Sequence, residues 1–296
     1  MLRWRIGDIL VTRILETEFG PLAGPDFSFP LSTPEAVSKI PWLGPPFVDK
    51  AGMIFLSFHA LLVETPKYRI LVDTCFGNDK QRGMEMIDNF QTPFLEDFEK
   101  TGVKPDDVDF VVCTHLHVDH IGWNTRLVDG KWVPTFRNAR TLMGRKEFEY
   151  WHHHEGDELH RIAFADSVQP LWDAGLIDLV ESDHQICPEV QLEPTPGHTV
   201  GHVSVRLRSG GQEALITGDF VHHPMQMAHP EWGIGVDYDG KQSEQTRRRV
   251  FSDCADRDLL MIGTHFMAPT GVRVRRDETA FRIDAGAQPE SDNKPD

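Results

Sequence analysis

Thr114-His115-Leu116-His117-Val118-Asp119-His120 places four side chains of metal-ligand type within six residues. His115 and His117 stand two apart, so on an extended segment they face one side. A turn at Asp119-His120 then brings a carboxylate and a third imidazole in from another direction. A lone histidine in a strand is ordinarily a packed or surface residue, but that explanation would have to hold separately for every member of this run. Three later stations repeat the theme: Pro196-Gly197-His198, Thr217-Gly218-Asp219 and Gly263-Thr264-His265 each set a ligand-type side chain beside a glycine or just past a short apolar stretch. A structural zinc takes four protein ligands and a catalytic one three. The combined five histidines and two aspartates are too many for one ion and suit two.

The rest of the chain bounds what such a centre can serve. Its 296 residues, 40% hydrophobic and 26% charged, are enough to bury a substantial core in one α/β domain. A formal net charge of −16 argues against a nucleic-acid partner, which calls for a basic surface. The basic clusters, Arg247-Arg248-Arg249 and Arg273, Arg275 and Arg276, read as solvated helix and strand faces. No apolar run approaches the roughly 20 residues of a membrane span, and the start of the chain lacks a signal-peptide h-region, so the expected location is the cytoplasm and no membrane partner is expected. Cys75, Cys113, Cys187 and Cys254 form no C-x-x-C pair and read as buried free thiols.

Hydrophobic alternation predicts strands at about 8–15, 53–63 and 68–74, the last two joined by a turn at Glu64-Thr65-Pro66-Lys67. Between the first two lies the Pro- and Gly-rich stretch 20–47, an ordered arm, a lid or a contact between copies, which makes a homodimer plausible. A helix is predicted from Phe94, then a buried strand over 108–113 that ends at the histidine run. Helices over 144–155 and 157–174, a strand over 176–180, a hairpin at 202–208 and 213–217, and a short strand over 259–263 follow. The tail 285–296 reads as disordered.

The ordered set H-x-H-x-D-H, then His, Asp and His after strand ends, resembles the metallo-β-lactamase superfamily over nearly the whole chain, to about residue 276. The resemblance implies an αββα four-layer sandwich formed by a single domain over 1–284, with the metal site at one edge of the two sheets. It assigns His115, His117 and His198 to a first ion, Asp119, His120 and His265 to a second, and Asp219 to both. Asp73 matches the family's strand-end aspartate that steadies the histidine loop, and His202 reads as packing support. Two divalent ions, zinc first with manganese, iron or cobalt also accepted by these donors, would generate a bridging hydroxide that attacks the substrate. Asp119 would orient that nucleophile or shuttle its proton.

Within the superfamily, the bridging Asp219 counts against β-lactam cleavage. Neither a helical C-terminal substrate domain nor a tRNA-binding arm is evident. The chain is most similar to the lactonase and methyl-parathion-hydrolase-like branch, which implies a small hydrophobic lactone or ester as substrate. The alternatives are phosphotriester hydrolysis and iron-dependent oxygenation on the same fold. The aromatic-rich insertion 123–197 suggests a hydrophobic pocket, with Trp123 and Trp151 as its first candidates, while His152-His153-His154 reads as a solvated helix face. One residue departs from the pattern: acyl-homoserine lactonases typically carry a tyrosine three positions after the bridging aspartate, where this chain has His222. His222 is therefore a second catalytic candidate, able to offer a hydrogen bond or proton to a leaving group, with His223 beside it.

Overall fold

The computed structural model describes residues 1–154 and 158–284, so the predicted disordered tail lies outside the described residues. Strands β1 (Arg3–Ile6), β2 (Ile9–Leu22), β3 (Ile54–Glu64), β4 (Arg69–Val72) and β5 (Phe110–Cys113) open a first sheet. After a separate hairpin of β6 (Thr125–Val128) and β7 (Lys131–Pro134), β8 (Arg140–Gly144) and β9 (Ile177–Val180) complete it in the order β1-β2-β3-β4-β5-β8-β9. A second seven-stranded sheet follows in sequence order: β10 (Gln185–Cys187), β11 (Val190–Pro194), β12 (Val203–Ser209), β13 (Gln212–Ile216), β14 (Leu260–Ile262), β15 (Gly271–Asp277) and β16 (Ala280–Asp284).

Period-two alternation explains the layering. Ile70, Val72 and Val112 face the second sheet's Val205, Ala214, Ile216 and Ile262, and these side chains share one buried cluster. Their neighbours Leu71, Val111 and Cys113, and Leu215 and Met261 opposite, point the other way into a second cluster with Phe94, Phe98 and Phe148 on one side and Val250, Phe251 and Cys254 on the other. Central strands that are apolar on both faces must be covered twice. The helices Phe94–Glu99, Arg145–His153 and Gly240–Arg257 do the covering, and the result is the expected helix-sheet-sheet-helix sandwich.

The same topology gathers the site. β4, β5 and β8 run parallel, as do β13 and β14. Asp73 follows β4, the histidine run follows β5, Thr217-Gly218-Asp219 follows β13 and Gly263-Thr264-His265 follows β14, so each ligand-type residue leaves the carboxyl end of a buried strand.

Several expectations are sharpened or corrected. The predicted turn after β3 is present, Thr65 Oγ1 accepting from the N–H groups of Lys67 and Tyr68 at 3.2 and 2.8 Å. The 20–47 stretch packs inward, with Phe29, Val37, Ile40 and Phe47 buried. The 123–197 stretch contributes β8 and β9 to the first sheet. All four cysteines are buried and free. Arg247 overturns its reading as a solvated residue: it is fully buried on the inner face of the helix Gly240–Arg257, donating to Pro230 O at 2.6 Å and Ser243 Oγ at 2.7 Å. Only Arg248 and Arg249 of that cluster face solvent.

Candidate metal centre

Asp73, at the end of β4 with φ 58°, is the anchor of the histidine loop. Its carboxylate accepts from Thr114 N at 2.8 Å and Thr114 Oγ1 at 2.9 Å, and faces His120 Nδ1 at 2.9 Å. Because the Thr114 hydroxyl donates to Asp73, its oxygen is left to accept from His115 Nδ1 at 3.1 Å. His198 Nδ1 faces Asp237 Oδ1 at 2.9 Å, and His265 Nδ1 donates to the carbonyl of Ser57 at 3.1 Å. Each of these four imidazoles thus has its remote nitrogen tied to an acceptor, which fixes the ring's orientation and turns Nε2 inward.

The inward atoms converge on one carboxylate oxygen. Asp219 Oδ2 lies 3.1 Å from His265 Nε2, 3.2 Å from His120 Nε2, 3.7 Å from His198 Nε2 and 3.8 Å from His115 Nε2. Asp119 Oδ2 stands 3.4 Å from the Nε2 atoms of both His120 and His265. His115, His117 and His198 form one compact donor group, and Asp119, His120, Asp219 and His265 a second. His222, which follows Asp219 by three, points into the same space: its Nε2 is 3.2 Å from Asp219 Oδ2, and it forms a third group with His198 and Asp219. Its ring stacks parallel to His265 at 5.7 Å and meets the edge of Phe29 at 5.8 Å.

The donors fit divalent cations. His198 Nε2 and His117 Nδ1 sit 3.0 Å apart, and since His198 holds its proton on Nδ1, its Nε2 lone pair is turned toward the neighbouring ring. His115 Nε2 and Asp219 Oδ1 are buried and find no hydrogen-bond partner among the described residues. Leaving such groups unsatisfied costs about 1–3 kcal/mol each, an unfavourable arrangement that a cation at the convergence point removes. Without metal, the electrostatics divide the two groups. Burial pushes His115 and His117 far below the usual imidazole range, the neutral state a metal requires. Burial acts on His120 in the same direction, but Asp219, Asp119 and Asp73 outweigh it and hold that ring well above. Asp219, despite burial, is held well below the carboxylate range by His120, His265 and His222.

The surroundings include residues the sequence pointed to and others it did not. His202 accepts from Asp219 N at 2.7 Å and pairs with Thr195 Oγ1 at 2.9 Å, so it buttresses the Asp219 loop, with burial pushing it down to about 3. Gly218, at φ +58°, has room for no side chain: a Cβ there would meet His202 Nε2 at 2.6 Å. His223 turns away to Phe47 O at 3.1 Å. His152 and His153 are exposed, as a solvated face requires. Trp123 is no pocket residue; it is buried, stacks on Phe94 at 5.4 Å and donates to Glu16 at 2.6 Å. Trp151 does border the site, edge-on to His117 at 5.7 Å. The apolar wall nearest the second group comes from elsewhere: Phe58 lies 4.7 Å from the His265 ring, and Phe76, Phe19 and Phe90 extend it toward the half-buried surface. Asp237, which orients His198, carries no motif in the sequence, and neither does the Phe58 wall.

These overlapping His and His/Asp groups at the loop ends of a two-sheet α/β sandwich define a candidate metal-binding protein of the α/β sandwich class. The chain belongs to the metallo-beta-lactamase superfamily, whose sequence profile matches residues 57–265. An N-acyl homoserine lactonase of Bacillus thuringiensis is 30% identical over 166 residues, 52% of this chain and 59% of that protein. The chain therefore spans a little under two thirds of the lactonases it matches. A probable metallo-hydrolase of Mycobacterium tuberculosis is 28% identical over 246 residues, covering 72% of this chain and 75% of its own. In structure the chain is similar to AidC, a dizinc quorum-quenching lactonase, with TM-score 0.78 and 20% identity over 98% of this chain and 97% of that one. It is also similar to AbOPH, a hydrolase in the beta lactamase superfamily, with TM-score 0.80 and 21% identity over 99% and 98%. No helix among the described residues is long and apolar enough to cross a membrane.

Proposed function

We propose that this protein is a dinuclear metal-dependent hydrolase acting on a small, hydrophobic lactone or ester. The observation that carries the reading is the position of Asp219 Oδ2, within 3.8 Å of inward nitrogens from both donor groups, where one carboxylate could serve two ions. His115, His117 and His198 would hold the first ion, Asp119, His120 and His265 the second, and Asp219 both. Bound there, two divalent ions, zinc by analogy with the dizinc neighbour, supply Lewis acidity and a water acidified toward neutral pH.

The chain's own groups supply the rest. Asp119, partly open to solvent at 17% side-chain exposure while its neighbours are closed off, is the carboxylate placed to accept a proton from an incoming water and pass it outward. His222 presents Nε2 beside Asp219, where a substrate carbonyl or leaving oxygen would accept a hydrogen bond. Phe29, edge-on to its ring, limits rotation. Of the ring cluster that begins at Phe58, the half-buried Phe19 and Phe90 are the members open to an apolar acyl or aryl group. Lactonase relatives support the substrate class. The test is hydrolysis of a panel of lactones, aryl esters, phosphotriesters, thioesters and a cephalosporin by the metal-loaded protein and its His115→Ala variant. A lactone or aryl ester should be the best substrate and the variant inactive on it; full hydrolysis by the variant contradicts the reading.

A further inference from the structure

Glu147 is a fully buried carboxylate on the helix Arg145–His153, far in sequence from both histidine loops yet bonded to each. Its Oε1 accepts from the backbone N–H of Leu116, the residue between His115 and His117, at 3.2 Å, and from Trp151 Nε1 at 2.7 Å. Its Oε2 accepts from the N–H of Gly201, three residues past His198, at 2.9 Å. Both oxygens are used, all three donors are N–H groups, and no cation pairs with this carboxylate among the described residues. The contact is close because Gly201 lacks a side chain: a Cβ there would meet Glu147 N at 2.5 Å. One side chain therefore staples the His115–His117 segment to the His198 loop and holds Trp151, which stands edge-on to His117.

We propose that Glu147 is a positioning residue that sets the separation of His117 and His198 and so tunes affinity at the first donor group. The second group is held by other contacts, His120 by Asp73, the Asp219 backbone by His202 and His265 by the Ser57 carbonyl, and is spared. The inference rests on the two-ion reading above. An amide cannot replace the carboxylate: whichever way Glu147→Gln turns its NH2, that group meets either Gly201 N–H or the Leu116 and Trp151 donors, and a donor faces a donor.

The experiment compares wild type, Glu147→Gln and, as a charge-matched control on the exposed face of the same helix, Glu149→Gln. Each protein is loaded with zinc, challenged with a graded chelator, and its retained metal counted. Glu147→Gln should lose one of its two ions at about tenfold lower chelator than the control and hold the other normally. Equal retention of both ions overturns the proposal while leaving the two-ion reading intact; fewer than two ions in wild type overturns that reading instead. Should Glu147→Gln fail to fold, hydrogen exchange of the metal-free wild type decides: Leu116 and Gly201 amides should be protected as strongly as the β5 amides, and rapid exchange at both overturns the staple.

Discussion

Nδ1 of His198 and Oδ1 of Asp237 lie 2.9 Å apart across 39 residues of sequence. The carboxylate forces the proton onto Nδ1 and leaves Nε2 free to face the site. Asp237 is itself held below the carboxylate range: burial opposes ionisation, but His198 and Arg247 overcome it. Asp237→Asn, whose amide can present either a donor or an acceptor to Nδ1, should weaken metal retention about 10- to 100-fold with the fold preserved. Metal competition with a chelator, alongside circular dichroism, checks this.

His222 offers a way to separate chemistry from metal binding. Its remote Nδ1 finds no hydrogen-bond partner among the described residues, unlike the tied nitrogens of His115, His120, His198 and His265. His222→Phe should therefore keep both ions while lowering kcat on the best substrate by about 100-fold. His222→Tyr, which restores a hydroxyl donor, should recover part of the loss. Steady-state kinetics with parallel metal counts distinguish this from ligand loss, which would reduce metal content in both variants.

Glu16 gives a pH signature in stability. Burial raises its carboxyl to about 7, against lowering by the N–H groups of Phe76, Trp123 and Gly77. Folding then favours the protonated form, so a stabilising contribution present below the ordinary value of 4.5 is lost as pH rises to about 7. Its size is about 3 kcal/mol. Urea unfolding of the metal-free protein at pH 5 and pH 8 should show a larger fall for wild type than for Glu16→Gln, and parallel falls would contradict it.

Gly218→Ala tests the backbone beneath Asp219. The left-handed conformation costs an L-residue about 1–2 kcal/mol, and the added Cβ would press on His202 Nε2 and Thr114. The variant should lose about 2 kcal/mol or more of stability in urea unfolding and bind metal less tightly, since His202 is the group that holds the Asp219 N–H.

The ligand-type residues were legible because they sit in short motifs at strand ends, where glycine and apolar runs mark the turn. The four-layer sandwich was legible only through the family resemblance that the ordered ligand set carries, since hydrophobic alternation by itself fits several α/β layer arrangements. What stayed hidden was formed only by tertiary closure. Asp237 and Glu147 are single acidic residues without a spacing pattern, and their partners lie 39 and 54 residues away. Arg247-Arg248-Arg249 looks uniformly basic in the sequence, but successive helical residues point about 100° apart, and the first turns inward with Ser243 and Val250. Of β15 only the solvated face with Arg273, Arg275 and Arg276 was read from the sequence, while Val272 and Val274 alternate with those residues into the core. Trp123 was misplaced because a tryptophan near a metal motif gives no sign of which way it faces.

The most direct test of the account is the number of divalent ions bound per chain, measured by elemental analysis after saturation and desalting, for wild type and Asp219→Ala. Two ions per chain in wild type, falling to one or fewer in Asp219→Ala, is the predicted result. A single ion per wild-type chain at saturation, or a lone iron with oxygen consumption, would contradict the shared-carboxylate, two-ion centre.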